Sequence, residues 1–239
     1  IYGNGVFRYR HDGTLDKHFS TQNGKLTHNV VFDFMEKDSI IWMGTDGGGI
    51  NLLDLRTDKV ECIKHISGNS HSLPNNSIFC LYKDTKNNIW GGSMHSGLFF
   101  ITENQIKTYQ DTPPNFPYGL SELTVTALYE DIDTLLWIGT DGGGLNAYNQ
   151  HTGLFQHLST TNGKKVVSIT EFSPEKLLIS CFNDGLYIFD KRTAKLTSFL
   201  LIDNHTTRKE FTQGDLINLY ATSDEIYIFG SNILSLIHI

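Results

Sequence analysis

Short apolar runs alternate with polar, glycine-bearing turns along the whole chain, and no long window carries a helical hydrophobic period. Segments such as Ser77 to Tyr82, Val125 to Tyr129 and Leu145 to Tyr148 read as short strands bounded by turns. The pattern recurs. Ile41-Trp42-Met43-Gly44-Thr45-Asp46-Gly47-Gly48-Gly49, Ile89-Trp90-Gly91-Gly92-Ser93-Met94-His95-Ser96-Gly97 and Leu136-Trp137-Ile138-Gly139-Thr140-Asp141-Gly142-Gly143-Gly144 align, with tryptophans 48 and 47 residues apart (42 to 90, 90 to 137). A weaker copy runs from Leu177 through Cys181-Phe182-Asn183-Asp184-Gly185, with Leu178 where tryptophan is expected. Partial copies stand at Gly3-Asn4-Gly5-Val6-Phe7 and from Ile226 to Ile233.

Each full unit predicts four antiparallel strands: an inner strand, a polar turn, the tryptophan strand, a glycine turn, a third strand and a fourth. Four short strands in 40 to 50 residues is the signature of a propeller blade. The expected fold class is therefore all-β, a β-propeller of four-stranded antiparallel blades. The expected units are 1–26 (partial), 27–72, 73–120, 121–163, 164–210 and 211–239 (partial), in one incomplete propeller. The pattern opens and closes mid-unit, so a fragment of a longer array is expected. A blade cannot bury its own faces and must stack on its neighbours. Trp42, Trp90 and Trp137 recur at one strand position and are expected to be mostly buried between blades. Gly49, Gly97, Gly144 and Gly185 mark the turns, where positive φ is expected.

Composition narrows the function. Net charge is −7, with 19 basic and 26 acidic residues and no extended basic run, which argues against nucleic acid as a partner. No apolar stretch reaches membrane-spanning length. Cys62, Cys80 and Cys181 are widely spaced and lie in apolar or alternating stretches, so all three are expected to be buried free thiols. Motifs of metalloproteases, α/β-hydrolases, P-loops and dinucleotide sites are absent, and the Gly47-Gly48-Gly49 run has no helix behind it to hold a phosphate. No cofactor, no metal and no catalysis by this segment are expected.

The phrase Leu136-Trp137-Ile138-Gly139-Thr140-Asp141-Gly142-Gly143-Gly144-Leu145, preceded by Val125 to Asp131, closely resembles the two-component regulator propeller repeat. The copies at 30 to 50 and 78 to 98 match with small departures. The resemblance implies the extracytoplasmic half of a bacterial hybrid histidine-kinase receptor. It implies seven-bladed propellers, a membrane-linked kinase in the same polypeptide, a periplasmic location, a homodimeric parent and an oligosaccharide or similar small ligand.

Repeated residues maintain the blade, so ligand-specific residues should stand where the copies differ. The turn between the second and third strands should share a face with the loops that link blades. Met94-His95-Ser96 replaces Asp-Gly-Gly there, and His95 adds a titratable group. The candidate ligand-binding residues are His95, Asn76, Phe116, Tyr118, Asn183 and Asp184. Phe116 and Tyr118 suit stacking on a sugar face, in a loop stiffened by Pro113, Pro114 and Pro117. Asp46 and Asp141 read as turn-capping residues. Two other readings stay open: a propeller lyase or hydrolase, with His95 and Asp46 or Asp141 on the channel face, and a protein-interaction scaffold.

Overall fold

The computed structural model describes residues 3–102, 105–110, 119–199, 201–202, 208–209, 216–222, 225–230 and 233–238. Among the described residues all regular elements but one are strands. The exception is a single 3-10 turn, η1 (Ser159–Thr161), so no helix among the described residues could cross a membrane.

The chain forms two compact units, residues 1–110 with 123–125 and residues 111–122 with 126–239. The first holds a two-stranded sheet, β1 (Val6–Tyr9) and β2 (Leu15–Phe19), and two four-stranded sheets. One is ordered β3 (Val31–Lys37), β4 (Ile40–Thr45), β5 (Ile50–Asp54) and β6 (Val60–Ile63). The other is ordered β7 (Ile78–Lys83), β8 (Ile89–Ser93), β9 (Leu98–Ile101) and β10 (Ile106–Tyr109). The second unit holds β11 (Val125–Glu130), β12 (Leu135–Thr140), β13 (Gly144–Asn149) and β14 (Leu154–His157) in one sheet, whose first residue, Val125, falls in the first unit. It also holds a sheet of β15 (Val166–Ser173), β16 (Lys176–Cys181), β17 (Gly185–Asp190) and β18 (Lys195–Ser198). The pair β19 (Leu201–Ile202) and β20 (Arg208–Lys209) follows, and then β21 (Leu216–Ala221), β22 (Glu225–Gly230) and β23 (Ile233–His238). Within the sheets, strands pair with their neighbours in the chain, so local hairpins build each blade and no crossover is needed.

The cores lie between sheets within each unit. In the first, Met35, Ile50, Leu73, Ile78, Leu81, Ile89 and Phe99 pack together, with Trp42 against them. In the second, Trp137 packs with Leu145, Val166, Ile179 and Phe189. Trp90 and Trp137 are 2% and 4% exposed. Trp42 is less buried than the other two but packs against the same kind of inter-sheet core. The turns before the three tryptophans differ as well. Trp90 Nε1 donates to Asp84 Oδ2 at 3.0 Å and Trp137 Nε1 to Asp131 Oδ2 at 2.8 Å. Both aspartates head a turn between the first two strands. The corresponding turn before Trp42 is the two-residue Asp38-Ser39, with Lys37 paired to Ile40. No carboxylate reaches the indole, and Trp42 Nε1 is buried without a hydrogen-bond partner.

The first strands of four sheets share a register shift at their second residue, between Val31 and Asp33, Ile78 and Cys80, Val166 and Ser168, and Leu216 and Asn218. The residue after the shift can then staple one sheet to the next. Asp33 Oδ2 accepts the Leu81 amide at 2.7 Å, and Ser168 Oγ accepts the Leu219 amide at 3.0 Å. Burial pushes the Asp33 carboxyl up to about 6, although the Leu81 and Phe34 amides both donate to it.

Candidate functional site: the glycine turns and the loops they clasp

Gly49 shows what the turns demand. Its φ is +78°, and a Cβ would lie 2.2 Å from the Ile63 carbonyl oxygen, so a side chain is excluded sterically and conformationally. Gly97 and Gly144 are confined in the same way, against Tyr109 and Thr161, and Gly185 also has positive φ. The residue two before each of these adopts positive φ too: Gly47, His95, Gly142 and Asn183. A hydroxyl secures the turn in three sheets, where Thr45, Ser93 and Thr140 donate to the carbonyls of Gly49, Gly97 and Gly144. Cys181 takes that place in the fourth, fully buried, and burial pushes its thiol up to about 12.

The loops leading into the β3 and β11 sheets are anchored by a repeated pair. Asn51 Oδ1 accepts the Thr27 amide, and Asn146 Oδ1 accepts the Ser121 amide, both at 3.0 Å. The sheet of β7–β10 departs at three positions together. Pro74 stands where Thr27 and Ser121 stand and has no amide hydrogen to anchor. Phe99 replaces the asparagine, and Gly91 replaces Met43 and Ile138. A Cβ on Gly91 would lie 2.0 Å from the Phe99 ring, so the glycine is the space the ring occupies.

In the first unit, the turns before β5 and β9 meet the segment 75–77. The Asn76 carbonyl accepts the Gly47 and Gly49 amides, while its side-chain oxygen accepts the His65 amide at 2.8 Å. Ser77 Oγ donates to Asp46 Oδ1 at 3.0 Å, and the Met94 amide donates to the Ser77 carbonyl. His95 is exposed, with φ +54°, and its Nδ1 lies 2.9 Å from Thr124 Oγ1. Its ring faces a hydroxyl, and Asp46 faces Ser77; the two do not hydrogen-bond with each other.

In the second unit, the turns before β13 and β17 clasp Lys164 and Lys165. Gly142 and Gly144 donate to the Lys164 carbonyl and Phe182 donates to the Lys165 carbonyl. Lys165 Nζ pairs with Asp141 at 2.9 Å and Lys164 Nζ with Asp184 at 2.5 Å. Lys164 also lies 4.0 Å from the centre of the Tyr187 ring, whose hydroxyl donates to Asp184. Desolvation opposes ionisation of Asp184, but hydrogen bonds from Lys164 and Tyr187 hold its carboxyl below the usual range. Asn183 and Asp184 thus share one exposed cluster.

Each unit therefore brings some predicted residues together: His95 and Asn76 border the same segment of the first, Asn183 and Asp184 the same turn of the second. Phe116 and Tyr118 lie outside the described residues. The pattern also held residues that the candidate set omitted. At the position of Asp46 and Asp141 the other two turns carry Met94, 37% exposed, and Phe182, 43% exposed. Aligning that single column flags Phe182 at once. Cys62 corrects an expectation: it is exposed, because β6 is an outer strand with two of its four residues facing solvent.

Residues 72–95 and 119–142 match the sequence profile of the two component regulator propeller. Histidine kinase P4 of Formosa agariphila is 31% identical over 166 residues, 66% of this chain and 12% of that protein. The extracellular domain of a candidate hybrid two-component system from B. thetaiotaomicron aligns with 98% of this chain and 30% of its own, at TM-score 0.76 and 21% identity. A catalytically inactive virginiamycin B lyase from Staphylococcus aureus aligns with 95% of this chain and 71% of its own, at TM-score 0.67 and 11% identity. The chain thus spans only a small part of the kinase it matches, and the solved structures share with it the β-propeller fold.

Proposed function

Because this chain belongs to the two-component regulator propeller family, we propose that it is a ligand-sensing segment of the extracytoplasmic, periplasmic part of a receptor histidine kinase. In this reading the kinase and further blades belong to the same polypeptide, the receptor acts as a homodimer, and the propeller segment performs no catalysis. The ligand is an oligosaccharide or a similar small molecule.

The observation that carries the reading is the division of labour in the glycine turns. Glycines, hydroxyls and the Asn51 and Asn146 anchors are spent on holding the turn. The substituted positions Met94, His95, Phe182 and Asn183 point nothing into a core and stand exposed. An exposed aromatic ring beside amide, carboxylate and ammonium groups is what a sugar requires, with its apolar C–H face and its ring of hydroxyls. The lyase reading needs a histidine working with an acid, and the His95 ring instead meets Thr124.

The test is titration of the full-length receptor with an oligosaccharide panel, read by calorimetry, for wild type and for His95→Ala, Phe116→Ala, Tyr118→Ala and Phe182→Ala. A severalfold affinity loss in at least one variant that keeps its fold is expected. Unchanged affinity in all four removes these loops as the binding face.

A further inference from the structure

A cleft in the second unit lies far from its glycine turns. It opens at the C-terminal end of β15, whose N-terminal end abuts Lys165. Eight strand residues separate the two ends, so they stand roughly 20 Å apart at about 3.3 Å per residue. The cleft has a volume of about 460 Å³ and is lined by Tyr129, Thr170, Glu171, Phe172, Ala221 and Thr222, among others.

Its origin is a departure from the repeat. In the sheets of β7 and β11 this strand end runs into Asp84 or Asp131, which cap a tryptophan. The β15 sheet has Leu178 in place of the tryptophan and so has no indole to cap. Its strand end carries Glu171-Phe172-Ser173-Pro174 instead, with a second register shift between Glu171 and Ser173. Such a shift re-aims side chains and is frequent beside binding sites. Phe172 packs edge-on against Phe199 at 5.6 Å, which fixes one wall.

The charge in the cleft is unbalanced. Tyr129 donates its hydroxyl to Glu171 Oε2 at 3.1 Å. Among the described residues Glu171 makes no ion pair, whereas the buried Asp131 is paired with Lys191. Among the described residues no lysine or arginine lines the cleft. A half-buried carboxylate beside two aromatic rings and no cation is the arrangement that receives one: the carboxylate supplies charge, the ring faces supply quadrupole attraction, and Ala221 supplies apolar contact. We propose that this cleft binds a small organic cation, with its ammonium group against Glu171 and its alkyl part against Phe172 and Ala221. The site is separate from the glycine-turn loops and does not depend on what they bind.

Calorimetric titration of the intact chain with putrescine and with choline tests the assignment, with 1,4-butanediol as the neutral control. Saturable one-site binding of at least one of the two cations is expected, with none for the diol. Glu171→Gln is expected to weaken it about tenfold or more, as removal of a charge-assisted contact does. Phe172→Leu, which keeps the wall apolar, is expected to weaken it severalfold, and it carries the test if Glu171→Gln does not fold. Absence of saturable cation binding to the wild type overturns the proposal, as does a folded variant with unchanged affinity. Equal binding of the diol overturns it too, since the cleft then recognises hydroxyls.

Discussion

The indole N–H of Trp137 donates to the fully buried carboxylate of Asp131 at 2.8 Å, six residues earlier in the chain. Trp90 and Asp84 repeat the relationship at the same separation. Trp42 does not: its two-residue turn, Asp38-Ser39, brings no carboxylate to the indole. Replacement of tryptophan by phenylalanine therefore removes a buried hydrogen bond at two positions and an unsatisfied donor at the third. Trp137→Phe and Trp90→Phe are each expected to cost about 1–3 kcal/mol more than Trp42→Phe. Urea denaturation of the three variants measures this, and equal losses would show that ring volume alone sets the cost.

Asp33 makes stability depend on pH in an unusual direction. Its carboxyl is raised from 3.8 to about 6 by burial, so the folded chain holds a proton that the unfolded chain has released. Its contribution is full below about pH 4 and is lost as pH rises through about 6. A shift of about two units corresponds to at most roughly 3 kcal/mol. Asp33→Asn keeps an acceptor for the Leu81 amide and removes the charge. The variant is expected to be more stable than wild type at pH 8 and to show a flatter profile between pH 4 and 7. A wild-type stability that rises across that interval, with the variant's profile parallel to it, contradicts this role.

His95 occupies a left-handed conformation that glycine occupies in two of the other turns. Alanine is strained there and glycine is not. His95→Gly is expected to be more stable than His95→Ala by about 1 kcal/mol, measured as the difference in thermal or urea midpoint. Both lose the ring contact with Thr124. If the two variants prove equally stable, the turn has relaxed and the backbone argument fails.

The cysteines separate by burial. Cys80 and Cys181 are buried and their thiols pushed up, Cys80 well above the ordinary range, while Cys62 is exposed and free. Under native conditions a water-soluble thiol reagent is expected to label Cys62 alone, with the other two reacting after denaturation. Mass spectrometry of labelled peptides reads this directly. Rapid native labelling of Cys80 or Cys181 would mean that their sheets open locally.

The strand pattern, the tryptophan spacing and the glycine turns were legible in the chain itself, because each blade is built from neighbouring hairpins whose signals are local. The choice of Met94, His95, Asn183 and Asp184 as exposed positions was legible for the same reason: a turn of known register exposes its substituted residues. Contacts between residues distant in sequence were not. The Asp33 staple to Leu81 bridges two sheets, and nothing in Val31-Phe32-Asp33 announces that its carboxylate will be enclosed. The joint exchange of Pro74, Gly91 and Phe99 appears as three unrelated departures until the ring is seen to fill the space over the glycine. Glu171 and Tyr129 stand 42 residues apart, and only the stacking of β11, β15 and β21 makes one cleft of them. Local periodicity determined the blades; the packing of one blade on the next, which no single repeat encodes, decided which carboxylates are buried and which are left facing a cavity.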